Sequence, residues 1–469
     1  MKYLALILAA LTTAEVQAYE LAPRLVVSIT IDQLRSDYLE AFNNIYSANG
    51  FKKILEGGLV YEGANYPFAP IDRSSATASL STGTTPFFNG IIGSNWLDRK
   101  TLRPTGSVDD ETYLSSPSKL RTSTVGDELK VSSQGKALVY SFAPTKESAI
   151  FSAGHDADGA FWLDNGGQWT GSVYYNKALP EWVKTYNSEY DHVFKKRKDY
   201  QTNDNVVDMA LTALRSTDMG NDAVSDLLSI TLTAEMPKGK VTGDWQKDMA
   251  SVYQKLDLSL GRIITAVENR VSLNEVLFVV TSTGYTEEKP EDLTRYRIPT
   301  GTFYINRTAS LLNMYLGAIY GQGRYVEECY ENELYLNHRL IEQKRLSMAE
   351  ILTRSQEFLL QNAGVADVYT SSRLLAGNND ILKIRGGYNP VLSGDIIINI
   401  APGWRLLNET TQQTFTSRAS VVPFPIIFFG GGIKHERVLS PVTVDRIAPT
   451  IAKTIRIRAP NACTAQPLF

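Results

Sequence analysis

Three continuous apolar runs, Arg24–Ile31, Asp226–Thr233 and Glu275–Ser282, constrain the fold of this chain more than any other feature. Each run is rich in β-branched residues and lacks the polar–apolar alternation of a strand that has one face in water. Such runs are typical of parallel strands buried on both faces. Two stretches with helical apolar spacing, Asn203–Ser216 and Asp248–Arg270, lie between them. The alternation predicts an α/β fold.

A further stretch, Phe68–Asp98, connects a strand-like run at Gly58–Tyr61 to a helix of small residues predicted over Ser74–Ser81. Gly83 and Pro86 end that helix, because Gly favours the left-handed conformation after a helix and Pro prevents its continuation. Small residues let the start of a helix pack closely against a sheet edge, where its free N–H groups can face an anion. We therefore expect a site to form around this stretch.

The first 18 residues, MKYLALILAALTTAEVQA, combine a Lys, an apolar run and a small-residue end. This pattern predicts a secretory signal that is cleaved near Tyr19, and hence an exported protein that is periplasmic or secreted. The apolar run is too short to span a membrane, and no later segment is long and apolar enough to do so. We expect no integral membrane span after cleavage.

The charge balance gives no support to a nucleic-acid partner. The chain has 469 residues, with 47 Lys and Arg against 50 Asp and Glu, for a formal net charge of −3. The basic run Lys195–Lys198 is short and lies among polar residues, which favours a solvated surface over a binding patch.

Several motifs resemble those of one family. They are TGTTP at Thr82–Pro86 with the following NGIIGSNWLD, DQLRSDYL from Asp32, and AGHDADGAFW from Ala153. Together they resemble the alkaline phosphatase superfamily, and within it the type I phosphodiesterase/nucleotide pyrophosphatase branch in its bacterial secreted phosphate-monoesterase form. The resemblance spans almost the whole mature chain. It implies an alkaline-phosphatase-like α/β/α sandwich around a mostly parallel sheet, with an inserted helical subdomain.

The resemblance also implies a core that an insert interrupts. The expected units are a signal at 1–18, the first part of the core at 19–298, the helical insert at 299–377 and the closing part of the core at 378–469. Apolar spacing predicts the elements of the later part, which are helices over Ser310–Tyr320, Glu327–Arg345 and Met348–Ala363 and a hairpin over Ile381–Ile400.

The positions that carry catalysis in the family hold other residue types here. The family's threonine nucleophile, which is also a metal ligand, corresponds to Arg73. Ser94 replaces the asparagine that contacts the transferred phosphoryl group, and Thr145 and Glu147 replace a lysine and an arginine that reach phosphate oxygens. The Glu147 carboxylate would repel an anion. We therefore expect Arg73 and Glu147 to form an internal ion pair, unless both side chains face solvent.

Most ligands of the family's two-zinc site are also replaced. The replaced positions are Gly239, Thr283, Gly284 and Pro423, and the nearby Lys238 and Lys240 would oppose a dication. Glu235 can stand in for one aspartate, and Asp32 retains a family metal position. A second interpretation makes Asp32 the cap of a helix predicted over Gln33–Leu55, and this one is favoured because the metal partners are missing. A two-zinc site needs several ligands at each ion, so no cofactor is expected.

Three further residues have chemistry to consider. His155 is interpreted as a structural histidine, because the matching family residue is mainly architectural. Cys329 and Cys463 can pair in an exported protein or remain free thiols, and both alternatives stay open.

The function favoured by these replacements is that of a non-catalytic exported member of the superfamily. It would have a binding or scaffold role toward an unknown protein or small-molecule partner. The alternative is a phosphate- or sulfate-ester hydrolase with a rearranged site. In that alternative Ser74, Ser75 or Thr77 is the nucleophile and Arg73 replaces a metal.

Overall fold

The computed structural model describes residues 22–190, 201–236, 244–286, 299–377, 379–415 and 420–469. The expected export signal, the basic run Lys195–Lys198 and the predictions for Lys238, Gly239 and Lys240 lie outside these ranges. No helix within them is long and apolar enough to cross a membrane.

The helices run in chain order through both halves of the molecule. They are α1 Ser36–Ala41, α2 Phe51–Gly57, α3 Arg73–Thr82, α4 Pro86–Asn89, α5 Val125–Ser132, α6 Lys146–Ala153, α7 Glu181–Glu189, α8 Thr202–Ser216, α9 Trp245–Glu268, α10 Ile305–Tyr320, α11 His338–Gln343, α12 Met348–Leu359, α13 Ser371–Ala376, α14 Leu382–Gly387 and α15 Ile447–Thr454.

The strands form one large sheet and several small ones. They are β1 Leu25–Asp32, β2 Leu59–Asn65, β3 Asn95–Asp98, β4 Arg103–Gly106, β5 Asp109–Asp110, β6 Leu114–Ser115, β7 Val139–Ala143, β8 Gly159–Leu163, β9 Trp169–Gly171, β10 Asp226–Thr233, β11 Val276–Ser282, β12 Tyr285–Thr286, β13 Gly301–Tyr304, β14 Val326–Tyr330, β15 Glu333–Leu336, β16 Val365–Thr370, β17 Ile396–Ile400, β18 Trp404–Asn408, β19 Gln413–Phe415, β20 Ser420–Val421, β21 Phe424–Gly430, β22 Glu436–Val438 and β23 Val442–Thr443.

The large sheet confirms the predicted α/β architecture. Its strand order is β22-β2-β21-β11-β1-β10-β7-β8-β9, with β23 paired to β2. The neighbours β11, β1, β10, β7 and β8 run parallel, and β21 is antiparallel to both β11 and β2. The three apolar runs predicted as buried strands are β1, β10 and β11, and β11 is buried along its whole length. Two large apolar cores include residues from opposite faces of β1, such as Val27 and Val26.

The helix predicted over Gln33–Leu55 is wrong as a single element. The segment contains α1, a 3-10 turn and α2 instead. The physical reason lies on a distant helix, because the carboxylate of Asp257 in α9 accepts the N–H groups of Ser47 at 2.8 Å and Phe51 at 2.7 Å. A Cβ at Gly50 would overlap this carboxylate. The chain therefore bends around Asp257, and α2 begins as a separate helix at Phe51.

The later part of the chain is less helical than predicted. Helices α10 and α12 confirm two of the predictions, but Glu327–Arg345 contains β14, β15 and α11 rather than one helix. The predicted hairpin at Ile381–Ile400 is also wrong, since this segment holds α14 and then β17. Strands β14, β15, β17 and β16 form an antiparallel sheet that packs its own apolar core with α10 and α12. We propose that the inserted unit extends to the end of β19, because β17 and β18 complete its sheets.

Candidate functional site

Helix α3 begins at Arg73 because Asp72 caps it. The Asp72 carboxylate oxygen Oδ1 accepts the Ser75 N–H at 2.9 Å and the Ser75 hydroxyl at 2.7 Å, while the N–H of Asp72 donates to Ser75 Oγ at 3.1 Å. This reciprocal capping box satisfies donors that a helix start leaves without partners. Gly83 ends the helix with a φ of 64°, as the sequence predicts.

The second carboxylate oxygen of Asp72 holds Ser94 against the start of α3. Asp72 Oδ2 accepts the N–H of Ser94 at 2.5 Å and its hydroxyl at 2.6 Å. The hydroxyl oxygens of Ser74 and Ser94 lie 3.0 Å apart, and the hydroxyl of Ser107 donates to Ser74 at 3.3 Å. The position that contacts a phosphoryl group in the family is therefore part of a closed hydrogen-bond network here.

The side chain of Arg73 crosses the carboxyl edge of the sheet and binds two carboxylates. Its Nε donates to Asp32 Oδ2 at 2.8 Å, and one terminal nitrogen lies 2.7 Å from the same oxygen. That terminal nitrogen also donates to Glu235 Oε1 at 2.8 Å. Asp32 ends β1, and Glu235 follows the neighbouring strand β10. One guanidinium thus connects the ends of two adjacent parallel strands.

The remaining oxygen of Asp32 is also occupied. Asp32 Oδ1 accepts the hydroxyl of Thr283 at 2.6 Å, and Thr283 Oγ1 accepts the backbone N–H of Gln33 at 3.1 Å. Asp32 is only 2% exposed. The favoured interpretation of Asp32 as a helix cap is wrong, because the capping residue of α1 is Arg35.

Gln33 completes the network from the other side. Its side-chain amide donates to Glu235 Oε1 at 2.9 Å, so that oxygen receives both Gln33 and Arg73. Burial works against the charge of the guanidinium, but the Asp32 carboxylate, the phenol of Tyr285 and Glu235 together keep the pKa of Arg73 above its ordinary value. The site therefore holds a permanent internal cation.

The predicted ion pair between Arg73 and Glu147 does not form. Glu147 lies on the first turn of α6, partly exposed, and makes no ion pair within the described part of the chain. Thr145 caps α6, and its hydroxyl donates to Ser148 Oγ at 3.1 Å. The prediction was wrong because the guanidinium of Arg73 binds Asp32, at the end of β1, and Glu235, just after β10, instead.

The three hydroxyls considered as nucleophiles are buried and engaged. Ser74 and Ser75 are 0% exposed, and Thr77 is 1% exposed. The Thr77 hydroxyl donates to the carbonyl of Arg73 at 2.8 Å. The Ser75 hydroxyl is part of the capping box with Asp72, and the Ser74 hydroxyl contacts that of Ser94. None of them has a histidine within hydrogen-bond distance in the described structure to act as a base.

The residues present do not fit a two-zinc centre. Both carboxylate oxygens of Asp32 are taken by Arg73 and Thr283. Pro423 offers its carbonyl oxygen to the N–H of Ser36 at 2.9 Å. Across residues 22–469, apart from the ranges outside the description, no group of three or more His, Cys, Asp or Glu side chains is arranged to hold a metal.

His155 and the cysteines have structural environments. The His155 ring lies between Asp127 Oδ2 at 3.0 Å and the carbonyl of Leu120 at 3.1 Å, which agrees with its interpretation as a structural histidine. Cys329 and Cys463 are not paired with each other, which decides the open question in favour of free thiols.

The fold and the position of the candidate site at the carboxyl edge of the sheet together define an alkaline-phosphatase-like α/β protein. The chain belongs to the type I phosphodiesterase / nucleotide pyrophosphatase family, whose sequence profile matches residues 26–420.

Comparisons with individual proteins cover nearly the whole chain. A protein named calcium-transporting ATPase from Myroides odoratus is 25% identical over 517 residues, which cover 95% of this chain and 94% of that protein. Alkaline phosphatase PhoV of Synechococcus elongatus is 25% identical, with 94% of this chain and 91% of that protein covered. The crystal structure of alkaline phosphatase PafA superposes with a TM-score of 0.81 at 22% identity, covering 95% of this chain and 98% of that one. The last match shows that the fold is shared.

Sequence reasoning missed how the site residues interact. It identified Asp32, Glu235, Thr283 and Arg73 separately, as retained or replaced positions. The strand order β11-β1-β10 brings the first three together, because parallel strands end at the same edge. Their shared place directly after buried runs was the signal that could have predicted one network. No comparable sequence pattern indicated that the Gln33 side chain would donate to Glu235.

Proposed function

We propose that this protein is a non-catalytic exported member of the family, with a binding or scaffold role. The observation that carries the proposal is the placement of Arg73 between Asp32 and Glu235. One terminal nitrogen of its guanidinium lies 2.7 Å from a carboxylate oxygen of Asp32 and 2.8 Å from one of Glu235. At the position that corresponds to the family's nucleophile, this side chain offers no oxygen for attack on phosphorus. Its charge is neutralised internally rather than directed at a substrate.

The surroundings of Arg73 support the same proposal. The hydroxyls next to it are buried, and Glu147 adds a negative charge near the start of α6 where an anionic substrate would need cations. A hydrolytic site requires a nucleophile with a base in reach and stabilisation of the developing charge. The described residues at this edge of the sheet supply neither arrangement. The partner is an unknown protein or small molecule.

A second candidate function is hydrolysis of phosphate or sulfate esters at a rearranged site. It is favoured by the relatives named alkaline phosphatase, one of which matches 94% of this chain. In this candidate Ser74, Ser75 or Thr77 would have to become exposed on substrate binding.

The two candidates are separated by turnover assays on the purified full chain. The substrates are p-nitrophenyl phosphate, bis-p-nitrophenyl phosphate and p-nitrophenyl sulfate, each with and without added zinc. We expect no turnover above a buffer control. Turnover that is lost in Ser74→Ala, Ser75→Ala or Thr77→Ala, but retained in the exposed-site control Ser132→Ala, would establish the hydrolase instead.

Export is proposed from the pattern of the first 18 residues. Expression of the full chain in a Gram-negative host, followed by fractionation and N-terminal sequencing, is expected to give a periplasmic or secreted product that begins near Tyr19. An uncleaved cytoplasmic product would contradict export.

A further inference from the structure

Helix α14 of the inserted unit contacts the loop before α3 through main chain. The N–H of Ala69 donates to the carbonyl of Lys383, near the start of α14, at 2.8 Å. At the other end of α14, a Cβ on Gly387 would overlap the carbonyl oxygen of Ala69. A Cβ on Gly386 would lie 2.9 Å from the carbonyl oxygen of Pro67. Backbone meets backbone at this contact, which leaves no room for a ligand between α14 and the loop.

The positive charge at the carboxyl edge of the sheet is paired internally. Ligands of parallel sheets usually bind at this edge. Here the guanidinium of Arg73 is bound by the carboxylates of Asp32 and Glu235. This network therefore offers no cation to an external anion.

The opposite, amino edge of the sheet, where its parallel strands begin, has a pocket of about 780 Å³. The pocket is formed by the starts of β1, β2 and β11, the turn after β21 and the end of α15, and its lining includes Pro23, Leu59 and Asn274. These strand starts share one edge because β1 and β11 are parallel, while β21 is antiparallel to both β11 and β2. Sites for small molecules typically have volumes of about 300 to 1,000 Å³.

Three consecutive glycines at the end of β21 form one wall of this amino-edge pocket. A Cβ on Gly430 would overlap the carbonyl oxygen of Val276, and a Cβ on Gly431 would overlap that of Asn274. The chain therefore packs backbone against backbone at the start of β11. Gly431 and Gly432 line the pocket and have no side chains that could fill it.

The apolar part of the pocket includes an aromatic ring that is held in place. Phe469 is 38% exposed, and its ring meets that of Phe428 edge-on, with 5.0 Å between the centroids and 90° between the planes. The segment before the ring is attached to α15, because the hydroxyl of Thr450 accepts the N–H of Leu468 at 2.8 Å. The ring and the side chain of Leu59 therefore give the apolar body of a ligand a fixed surface.

Basic side chains also line the pocket, namely Lys434, Lys453 and Arg456. Lys434 and Lys453 are exposed, and neither makes an ion pair within the described part of the chain. Two carboxylates line the pocket as well, but Glu275 is already paired with an arginine, which leaves Glu436 against three cations. The pocket therefore has an excess of positive charge, and such a surface attracts anions.

We propose that the amino-edge pocket binds an organic anion with an apolar body, such as an aromatic sulfonate or carboxylate. The apolar body lies against Phe469, and the ammonium groups of Lys434 and Lys453 hold the anionic group. The proposal rests on the proposed binding role and identifies its small-molecule partner by chemical class. Because the elements of this pocket do not include the Arg73 network, binding here and turnover there are measured separately.

Fluorescence titration of the purified full chain with anilinonaphthalene sulfonate tests the charged part of the pocket. The control probe is N-phenylnaphthylamine, which has the same rings without the sulfonate. We expect one saturable site for the sulfonate and roughly tenfold weaker binding of the uncharged probe. The double variant Lys434→Gln/Lys453→Gln should weaken sulfonate binding roughly tenfold and leave the uncharged probe unaffected. Lys100→Gln, an exposed change outside the pocket, should bind both probes as the wild type does.

A second variant tests the apolar part of the pocket. Phe469→Ala should weaken the binding of both probes, whereas Leu439→Ala, at an exposed apolar residue outside the lining, should change neither. Equal affinity for the two probes, or unchanged sulfonate binding in both the double lysine variant and Phe469→Ala, would overturn the proposal. Turnover of the ester substrates together with the expected probe binding would contradict the non-catalytic function and support the pocket. Absence of both turnover and probe binding would overturn the pocket alone.

Discussion

The guanidinium of Arg73 lies 2.7 Å from the carboxylate of Asp32, at the end of the strand that forms the centre of the sheet. Asp32 is almost fully buried, and the side chain of Arg73 is 27% exposed. A buried carboxylate without a partner is costly, so each group makes the burial of the other tolerable. The pair therefore contributes to the stability of this edge of the sheet.

Breaking this pair from either side should destabilise the protein. Because the remaining charge stays partly buried, we expect Arg73→Ala and Asp32→Ala each to lower the free energy of unfolding by about 3 kcal/mol. The double variant should lose less than the sum. Denaturant unfolding measures all three values. As a control, the exposed pair Arg437–Glu62 should give changes within about 0.5 kcal/mol and additive effects. Additivity at Arg73 and Asp32 would show that they do not interact.

Zinc should not remain bound to the protein. The oxygens of Asp32 are occupied by Arg73 and Thr283, and the described residues at this edge offer no open ligand set. After purification with zinc and dialysis, elemental analysis should find well below one zinc per chain. A value of roughly two per chain, as in a two-metal site, would rule out the proposed non-catalytic function.

Asp257 should be as important for stability as a large core residue. It is 1% exposed, and its carboxylate accepts the backbone N–H groups of Ser47 and Phe51. Asp257→Ala leaves the buried N–H of Phe51 and the half-buried N–H of Ser47 without this acceptor, so we expect a loss of about 3 kcal/mol in the free energy of unfolding. Leu258→Ala, one residue away on the exposed face of α9, should change it by less than about 0.5 kcal/mol. Equal effects of the two changes would contradict this account of the break before α2.

The contact between His155 and Asp127 should stabilise the fold over a limited pH range. Burial opposes the charge on His155, but Asp127 outweighs it and raises the pKa of His155 above 6.5. Burial opposes ionisation of Asp127 as well, but His155 and backbone N–H groups lower the pKa of Asp127 below 3.8. The stability that His155 contributes is complete below its ordinary pKa and is lost as pH rises through its raised pKa. The stability that Asp127 contributes is present above its ordinary pKa and is lost as pH falls through its lowered pKa.

The measurement is thermal or denaturant unfolding of His155→Gln. We expect its destabilisation to be about 1 kcal/mol larger at about pH 5.5 than at about pH 8.5. His435→Gln is the matched control, because the ring of His435 contacts only the carbonyl of Gly58 among its described partners. A pH-independent effect of His155→Gln would refute the charged contact.

The central sheet was predictable because its strands are encoded locally. Runs such as Arg24–Ile31 are long, apolar and β-branched, and they need no partner to be identified as buried strands. The Glu327–Arg345 segment was misassigned because a short turn at Glu331 separates two strands whose pairing depends on β17, more than 60 residues later. Helical spacing over this segment was a chance match that the sheet overrides.

The candidate site was predictable in its location but not in its contacts. Arg73 lies next to the helix predicted over Ser74–Ser81, yet its partners come from the ends of β1 and β10 and not from Glu147, which lies on the unpredicted helix α6. Which of three acidic residues a long side chain reaches depends on ångström-scale offsets between elements. Such offsets arise from packing and cannot be predicted from local residue patterns.

The meeting of α14 with the loop before Arg73 involves carbonyl oxygens and glycine Cα atoms rather than interlocking side chains. Ordinary exchanges among side chains on either surface would leave that fit intact, whereas a single added methyl group on Gly387 would separate the surfaces. Relatives that hold their inserted unit in the same way are therefore better recognised by a glycine pair at the end of this short helix than by overall similarity of the insert.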